Sequence, residues 1–432
     1  MVDSQKQAFI LSLTDDISEI VQLTESLGYK ILKTFIQHRL TPDVNTYAGP
    51  GKIDEIEEFL KQKNDEDVLL IVNGELRPSQ WFALEKKLQI TVYDRIRLIL
   101  AIFEHRAERR EAKLQVRLAQ LQYERPFVRE LIHRTKDGEH PGYMAGGEYQ
   151  VDDYYEMIKR QVKDIKDDLE KIRADREVHR QTRYKSGFYL VSLAGYTNAG
   201  KSSLLNLLTD EHVRVEEQLF STLSTTTRKI NKSVHHIPIL LTDTVGFIEN
   251  LPSLIIDAFH STLEEIEVAD VIVLVVDGSE PPANVERKLQ VSLHELRDLK
   301  VSSPVLVVLN KIDLLTPESL SDLVVYLEQR GVIYKELCIG VSVKTQKNIE
   351  LLLEKIYALL PHRAVVKFHI PNSAMSQAFV SHLYETTRVI AVNYADDITV
   401  IIECNEKIKT KIISRCRELG GDIIDDKPGM YQ

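Results

Sequence analysis

The mostly apolar stretch Phe188 to Ala194 runs into Gly195-Tyr196-Thr197-Asn198-Ala199-Gly200-Lys201-Ser202, and a helical SLLNLLT follows at once. Strand, Gly-rich loop and helix in that order make the phosphate loop G-x-x-x-x-G-K-[ST], which fixes an α/β unit around it. The glycines let backbone N–H groups turn inward as a cradle for phosphate oxygens, and the helix amino terminus adds its dipole. In this arrangement Lys201 reaches the β- and γ-phosphates, and the Ser202 hydroxyl is a ligand for Mg²⁺.

Four later loops say which nucleotide is held. LLTDTVG places Asp243 at a strand end and Gly246 three residues on, with Thr244 and Val245 between. Asp243 there holds magnesium through water, and the Gly246 N–H senses the γ-phosphate. PVLVVLNKID ends a strand on Asn310-Lys311-Ile312-Asp313. The Asp313 carboxylate accepts from the two N–H donors on the guanine edge, a pair that adenine lacks, so adenine leaves that carboxylate unpaired. Asn310 braces the loop, and the Lys311 stem packs on the ring. Ser342-Val343-Lys344, after another strand, offers a backbone N–H to the guanine oxygen, with Val343 where a small residue is usual. FSTLSTTTR, Phe220 to Arg228, is the segment that supplies a threonine to Mg²⁺ and the γ-phosphate. Thr222 is the first candidate and Thr226 the second, with Phe220, Ser221, Leu223 and Ser224 lining the nucleotide. The loops together specify a GTPase that uses GTP and Mg²⁺, with Lys201, Thr222 and Gly246 as its catalytic groups and Ser202, Thr222 and Asp243 as its metal ligands. Phe247 stands where many GTPases place a water-orienting glutamine. Hydrolysis by the chain alone is therefore expected to be slow.

The remaining sequence adds context. At 432 residues and 43% hydrophobic, the chain buries more than one core, which suggests roughly two to four domains. A net charge of −10 argues against a whole surface built for nucleic acid but leaves room for a local basic patch. Cys338, Cys404 and Cys416 show neither metal-ligand spacing nor the even count of a disulfide framework, as expected in a reducing interior. No apolar run approaches the roughly 18 residues of a bilayer span, and the start lacks signal-peptide character. The expected place is the cytoplasm, or at most the periphery of a membrane.

Short β-rich runs alternate with amphipathic helices from Ala8 to Asp94, which implies a small, mostly parallel sheet. Ile96 to Tyr123 reads as one long helix ended by Pro126, and Asp152 to Arg183 as a second helix returning beside it. In the tail, AVVKFHIP, RVIAVNYA and ITVIIEC read as strands and EKIKTKIISRCREL as a helix. The expected fold is α/β: an N-terminal α/β subdomain (1–95), a helical hairpin (96–185), a Ras-like P-loop G domain (186–362) and a small C-terminal α/β domain (363–432).

Several runs resemble the HflX family of translation-associated GTPases: GPGKIDEI, NGELRPSQWFALEKKL, VYDRIRLILAIFEHRA, GYTNAGKSSLLNLLT, FSTLSTTTR, DTVGFIENLP and NKID. The resemblance implies a GTPase that binds the large ribosomal subunit, splitting or rescuing stalled ribosomes, with rRNA contacts through the N-terminal and helical parts. The sequence departs from the family at the hairpin tip, with Ala145-Gly146-Gly147-Glu148, Tyr149-Gln150 and Asp153-Tyr154-Tyr155 in place of a more basic run. Around the hairpin, Arg106, Arg109, Arg110, Lys113, Arg117, Arg125, Arg129, Arg134 and Lys136 form a local basic excess, with Phe127, His133 and Tyr143 available for stacking. Glu108 and Glu111 do not neutralise it at i, i+4 spacing, where they meet Ala112 and Gln115. Gly49-Pro50-Gly51-Lys52 reads as a turn and helix cap, with a second phosphate site as the minority reading. The alternatives are a hairpin that docks a protein partner and a second activity within residues 1–95. The chain is expected to act as a monomer.

Overall fold

The computed structural model describes residues 6–63, 68–136, 148–185, 187–209, 226–230, 238–244, 246–248, 255, 263–361 and 363–428. The chain falls into two compact units, one of Met1–Ile172 and a second that begins at Arg173.

In the first unit β1 (Gln7–Ser12), α1 (Ser18–Ser26), β2 (Lys30–Ile36), α2 (Pro50–Lys63), β3 (Val68–Val72), α3 (Pro78–Leu88) and β4 (Thr91–Tyr93) alternate. The strands pair in the order β2-β1-β3-β4, all parallel. Phe9, Leu11, Leu70 and Val72 are fully buried at its centre, so the strands read as apolar runs. Asp94 then caps α4 (Arg95–Arg106), its buried carboxylate accepting from the N–H groups of Arg97 at 2.8 Å and Leu76 at 3.1 Å.

The helical region differs from the sequence expectation. Two helices stand where one was expected, because α4 ends at Arg106 and α5 (Arg110–Lys136) continues through Pro126. Pro126 is exposed, and apolar contacts to the next helix hold α5 on either side of it. Those contacts join Leu121 and Val128 of α5 to Ile158 of α6 (Glu148–Lys185). Arg110 meets Asp168 at 3.0 Å while Arg125 meets Tyr155 at 3.3 Å, so the two helices run antiparallel.

The second unit carries the other two sheets. Its first comprises β5 (Tyr189–Gly195), α7 (Lys201–Thr209), β6 (Thr226–Lys229), β7 (Ile239–Asp243), β8 (Val271–Asp277), α8 (Pro282–Asp298), β9 (Val305–Asn310), α9 (Pro317–Gln329), β10 (Cys338–Gly340) and α10 (Ile349–Leu359). The order is β10-β9-β8-β5-β7-β6, parallel except for β6 against β7. Every residue of β5 is buried, as a central strand flanked by β8 and β7 requires. The connection after β5 runs toward β7 and β6 and the one after β8 toward β9, and the crevice beyond the carboxyl ends of β5 and β8, where the two diverge, is where open α/β sheets place ligands.

The last sheet is built from β11 (Arg363–Pro371), α11 (Ala374–Thr386), β12 (Arg388–Tyr394), β13 (Asp397–Asn405), α12 (Glu406–Glu418) and β14 (Asp422–Pro428). The antiparallel order β12-β13-β11-β14 with this βαββαβ connectivity is the ferredoxin-like arrangement. The sequence pattern missed α11 and β14. The first is mixed in polarity and starts on a Ser373 cap (Ser376 N–H to Ser373 Oγ, 3.2 Å), and the second is an acidic edge strand. The three cysteines are buried, and burial pushes their thiols up, Cys338 to about 11, Cys404 to about 12 and Cys416 to about 11.

Candidate nucleotide site

The site is built where β5, β7, β9 and β10 end. The chain leaves β5 at Gly195 with φ 130°, passes Asn198 at φ 62° and turns into α7 at Gly200 with φ 97°. These values fall in territory that side chains avoid, and the surroundings exclude a Cβ as well. A Cβ on Gly195 would sit 2.1 Å from the Val275 carbonyl oxygen, and one on Gly200 would sit 2.2 Å from Asn310 Nδ2. Tyr196, Thr197 and Ala199 are buried, and Asn198 is exposed at the apex of the loop.

Lys201, the first residue of α7, points back into this loop. Its ammonium donates to the carbonyls of Gly195 at 3.0 Å and Tyr196 at 2.8 Å, and the residue is 6% exposed. Burial pushes its pKa down to about 8, against the pull of Asp243 in the opposite direction. Ser202 Oγ donates to Asp243 Oδ2 at 2.7 Å, and both groups are buried. A hydroxyl and a carboxylate side by side are the hard oxygen donors that Mg²⁺ takes, so this pair fits that ion. Among the described residues no cluster of three or more His, Cys, Asp or Glu side chains offers another metal site.

The segment after β7 folds across the loop. Thr244 Oγ1 donates to Leu193 O at 2.7 Å, Phe247 N–H donates to Gly195 O at 3.0 Å, and Thr197 N–H donates to Phe247 O at 2.9 Å. Gly246 is pressed against the cradle: a Cβ there would lie 2.7 Å from Thr197 Cγ2 and 2.9 Å from Lys201 Nζ. The Phe247 side chain is buried, an apolar group where a water-orienting amide often stands. Phe220, Ser221, Thr222, Leu223, Ser224 and Val245 lie outside the described residues. Thr226 opens β6, opposite Asp243.

Asn310 ties the loops to one another. Its Nδ2 donates to Ala199 O at 2.9 Å and its Oδ1 accepts the Val343 N–H at 3.2 Å, so one amide links the phosphate loop to both base loops. Ser342 Oγ donates to Asp313 Oδ1 at 2.6 Å, and Ile312 is buried with its N–H on Val341 O at 3.2 Å. Asp313 and Lys344 are exposed, and Lys311 stands at φ 65°. The sequence reading gave no site role to Asp277, whose Oδ2 accepts from Lys311 Nζ at 2.6 Å. Its signal was an acidic residue closing the apolar strand that precedes the base loop.

Three family models match along the chain: "GTP-binding GTPase N-terminal" over 14–104, "GTP-binding GTPase Middle Region" over 106–183 and "50S ribosome-binding GTPase" over 190–311. GTPase HflX of Thermococcus kodakarensis is 39% identical over 414 residues, covering 94% of this chain and 91% of the relative. The chain belongs to the HflX family of GTPases. Another HflX, from Methanocaldococcus jannaschii, is 41% identical over 374 residues, covering 87% of this chain and 89% of its own. Among solved structures, that of SsGBP with GDP is 30% identical with a TM-score of 0.49, covering 82% of this chain and 98% of its own.

The helical pair departs in detail from the sequence reading of this HflX chain. Arg109, Arg110, Lys113, Arg117, Arg125 and Arg129 are exposed. Across the pair the Asp168 carboxylate meets the charge of Arg110, and Arg117 donates to the neutral Gln161 amide at 3.4 Å. Phe127 packs edge-on against Trp81 at 5.5 Å and beside Tyr123 at 4.8 Å, so it serves packing and is not a free stacking platform. The His133, Arg134 and Lys136 side chains and Tyr143 lie outside the described residues. Gly49 to Lys52 forms the turn into α2, with Gly49 N–H on Gln37 Oε1 at 2.7 Å and Lys52 Nζ on Glu55 at 2.6 Å. No helix among the described residues is long and apolar enough to cross a membrane.

Proposed function

We propose that this HflX-family chain binds GTP with magnesium, hydrolyses it slowly alone, and acts in the cytoplasm on the large ribosomal subunit, splitting or rescuing stalled ribosomes. The observation that carries the nucleotide reading is the pair of hydrogen bonds made by the Asn310 amide, to Ala199 O and from the Val343 N–H, which ties the Gly195–Ser202 loop to the Asn310 and Ser342 loops. In that arrangement Asp313 and the Val343 N–H read the base, while the Gly195–Ser202 loop takes the phosphates. Ser202 and Asp243, with Thr222, would hold Mg²⁺, which neutralises charge on the β- and γ-phosphates when bound. Water attacks the γ-phosphorus and the bond to the β–γ bridging oxygen breaks, releasing GDP and phosphate. Lys201 and the Gly246 N–H stabilise the charge that develops on the transferred group.

The ribosome reading is supported by the description of the matched 190–311 model and by the exposed arginines of α5. The buried Phe247 supports slow turnover alone, since it orients no water. The test is GTP hydrolysis with and without purified large subunits, beside Ser202→Ala. A partner that supplies the missing group is expected to raise the rate by about 10³-fold, and Ser202→Ala removes the effect. A rate unchanged at saturating subunits refutes the ribosome reading and leaves the GTPase standing.

The depressed pKa of Lys201 gives a pH dependence. Phosphate binds the protonated ammonium, so GDP affinity is flat below about pH 8 and falls as pH rises through that value. The decline continues until the higher pKa of the bound form is passed. Titration of GDP from pH 6.5 to 9 checks this, and Lys201→Met should abolish the pH dependence in that window.

A further inference from the structure

The end of β8 holds a carboxylate that none of the nucleotide motifs includes. Asp277 lies opposite Asn310 in the β8–β9 register, and Gly278 N–H donates to Asn310 O at 2.9 Å. The two strand ends are thus zipped at the point where the base loop leaves the sheet. The two carboxylate oxygens are used differently. Oδ1 accepts from the Ser279 N–H at 3.0 Å and the Ser279 hydroxyl at 2.6 Å. Oδ2 accepts from Lys311 Nζ at 2.6 Å, in a pair whose side chains are 14% and 32% exposed. Burial works to raise the Asp277 pKa, but the bonds from Lys311 and Ser279 outweigh it and leave it lowered. The carboxylate is therefore charged at neutral pH.

We propose that Asp277 is a positioning residue for purine recognition: anchored by Ser279, it holds Lys311 so that the lysine stem forms a fixed wall against the face of the guanine ring. A lysine has four rotatable carbons and, left in water, spreads over many rotamers. Lys311 also occupies φ 65°, a backbone state that a non-glycine residue keeps only when its surroundings impose it. The ion pair to a carboxylate at a rigid strand end fixes the ammonium at one end of the stem, and the backbone fixes the other. The methylenes between them are then ordered before the base arrives, and binding loses less entropy. The Asp277 carboxylate bonds to Ser279 and Lys311, neither of which belongs to the phosphate cradle, so its effect is confined to the base.

The test is a double-mutant cycle on the full chain: Asp277→Asn, Lys311→Met and both together, read by GDP affinity. Each single change is expected to weaken GDP about tenfold, with the double variant no worse than Lys311→Met alone. Inorganic pyrophosphate, which occupies the cradle without a base, should compete equally against wild type and Asp277→Asn. Ser279→Ala should give a partial version of the Asp277→Asn defect. Losses that multiply in the double variant would show that Asp277 acts independently of Lys311 and overturn the proposal. So would a matching loss of pyrophosphate affinity, which would mark Asp277 as a general support of the fold, or an Asp277→Asn variant with unchanged GDP affinity.

Discussion

Lys201→Met is expected to slow GTP hydrolysis by about 10²- to 10³-fold under single-turnover conditions, the loss seen when one preorganised charge donor leaves a transition state. The ammonium is already inside the protein, 6% exposed and held by the carbonyls of Gly195 and Tyr196. When a triphosphate enters, it exchanges those carbonyl oxygens for phosphate oxygens with little movement of the side chain. Methionine matches the length and polarisability of the chain but carries no charge, and it leaves two carbonyls facing an apolar group. The defect therefore falls on both GDP affinity and the chemical step, and the chemical step suffers more because charge on the γ-phosphate oxygens grows there. A variant whose single-turnover rate stays within threefold of wild type would show that the lysine serves only the shape of the loop.

The second large effect concerns folding. Gly195→Ala is expected to cost about 3 kcal/mol, near the upper end for a single substitution, because strain and collision coincide. The residue sits at φ 130°, and the new methyl would meet the Val275 carbonyl oxygen at 2.1 Å. That oxygen is backbone of β8, the neighbour of the central strand, and no side-chain rotation relieves the overlap. Gly28 is the comparison: φ 78° with nothing within 4 Å of a Cβ. Its alanine variant incurs strain without collision, about 1 kcal/mol. Urea unfolding of the nucleotide-free protein, followed by circular dichroism, checks the ranking. Equal losses at the two positions would show that β5 and β8 separate at little cost.

Much of this could be read from local pattern. The P-loop, D-x-x-G and N-K-x-D motifs each place a chemically specific residue at a strand end, where the chain's own periodicity marks the strand. Lys201, Ser202, Asp243, Asn310 and Asp313 were therefore singled out as candidates from residue type and spacing alone. The parallel N-terminal sheet was legible for the same reason, as four apolar runs separated by amphipathic helices. The helical pair shows where pattern fails. Pro126 looked like a stop because proline removes a helical hydrogen bond, yet contacts from a helix that begins at Glu148 carry α5 past it. The acids that meet the hairpin arginines also lie far along the chain, as Asp168 does for Arg110, outside the reach of an i, i+4 count.

The amino-acid sequence by itself determined the candidate chemistry of this protein: the G-x-x-x-x-G-K-S, D-x-x-G and N-K-x-D motifs, and Phe247 in place of a glutamine after Gly246. These follow from residue type and short spacing, the range over which a loop is stiff enough for sequence to fix its shape. The tertiary structure alone decided the partnerships. Asn310 spans 111 positions to Ala199, Ser202 spans 41 to Asp243, and Lys311 spans 34 to Asp277. Such pairs exist because the order β9-β8-β5-β7 brings distant strand ends together, an arrangement set by burial of apolar faces over the whole sheet and carried by no single stretch of residues.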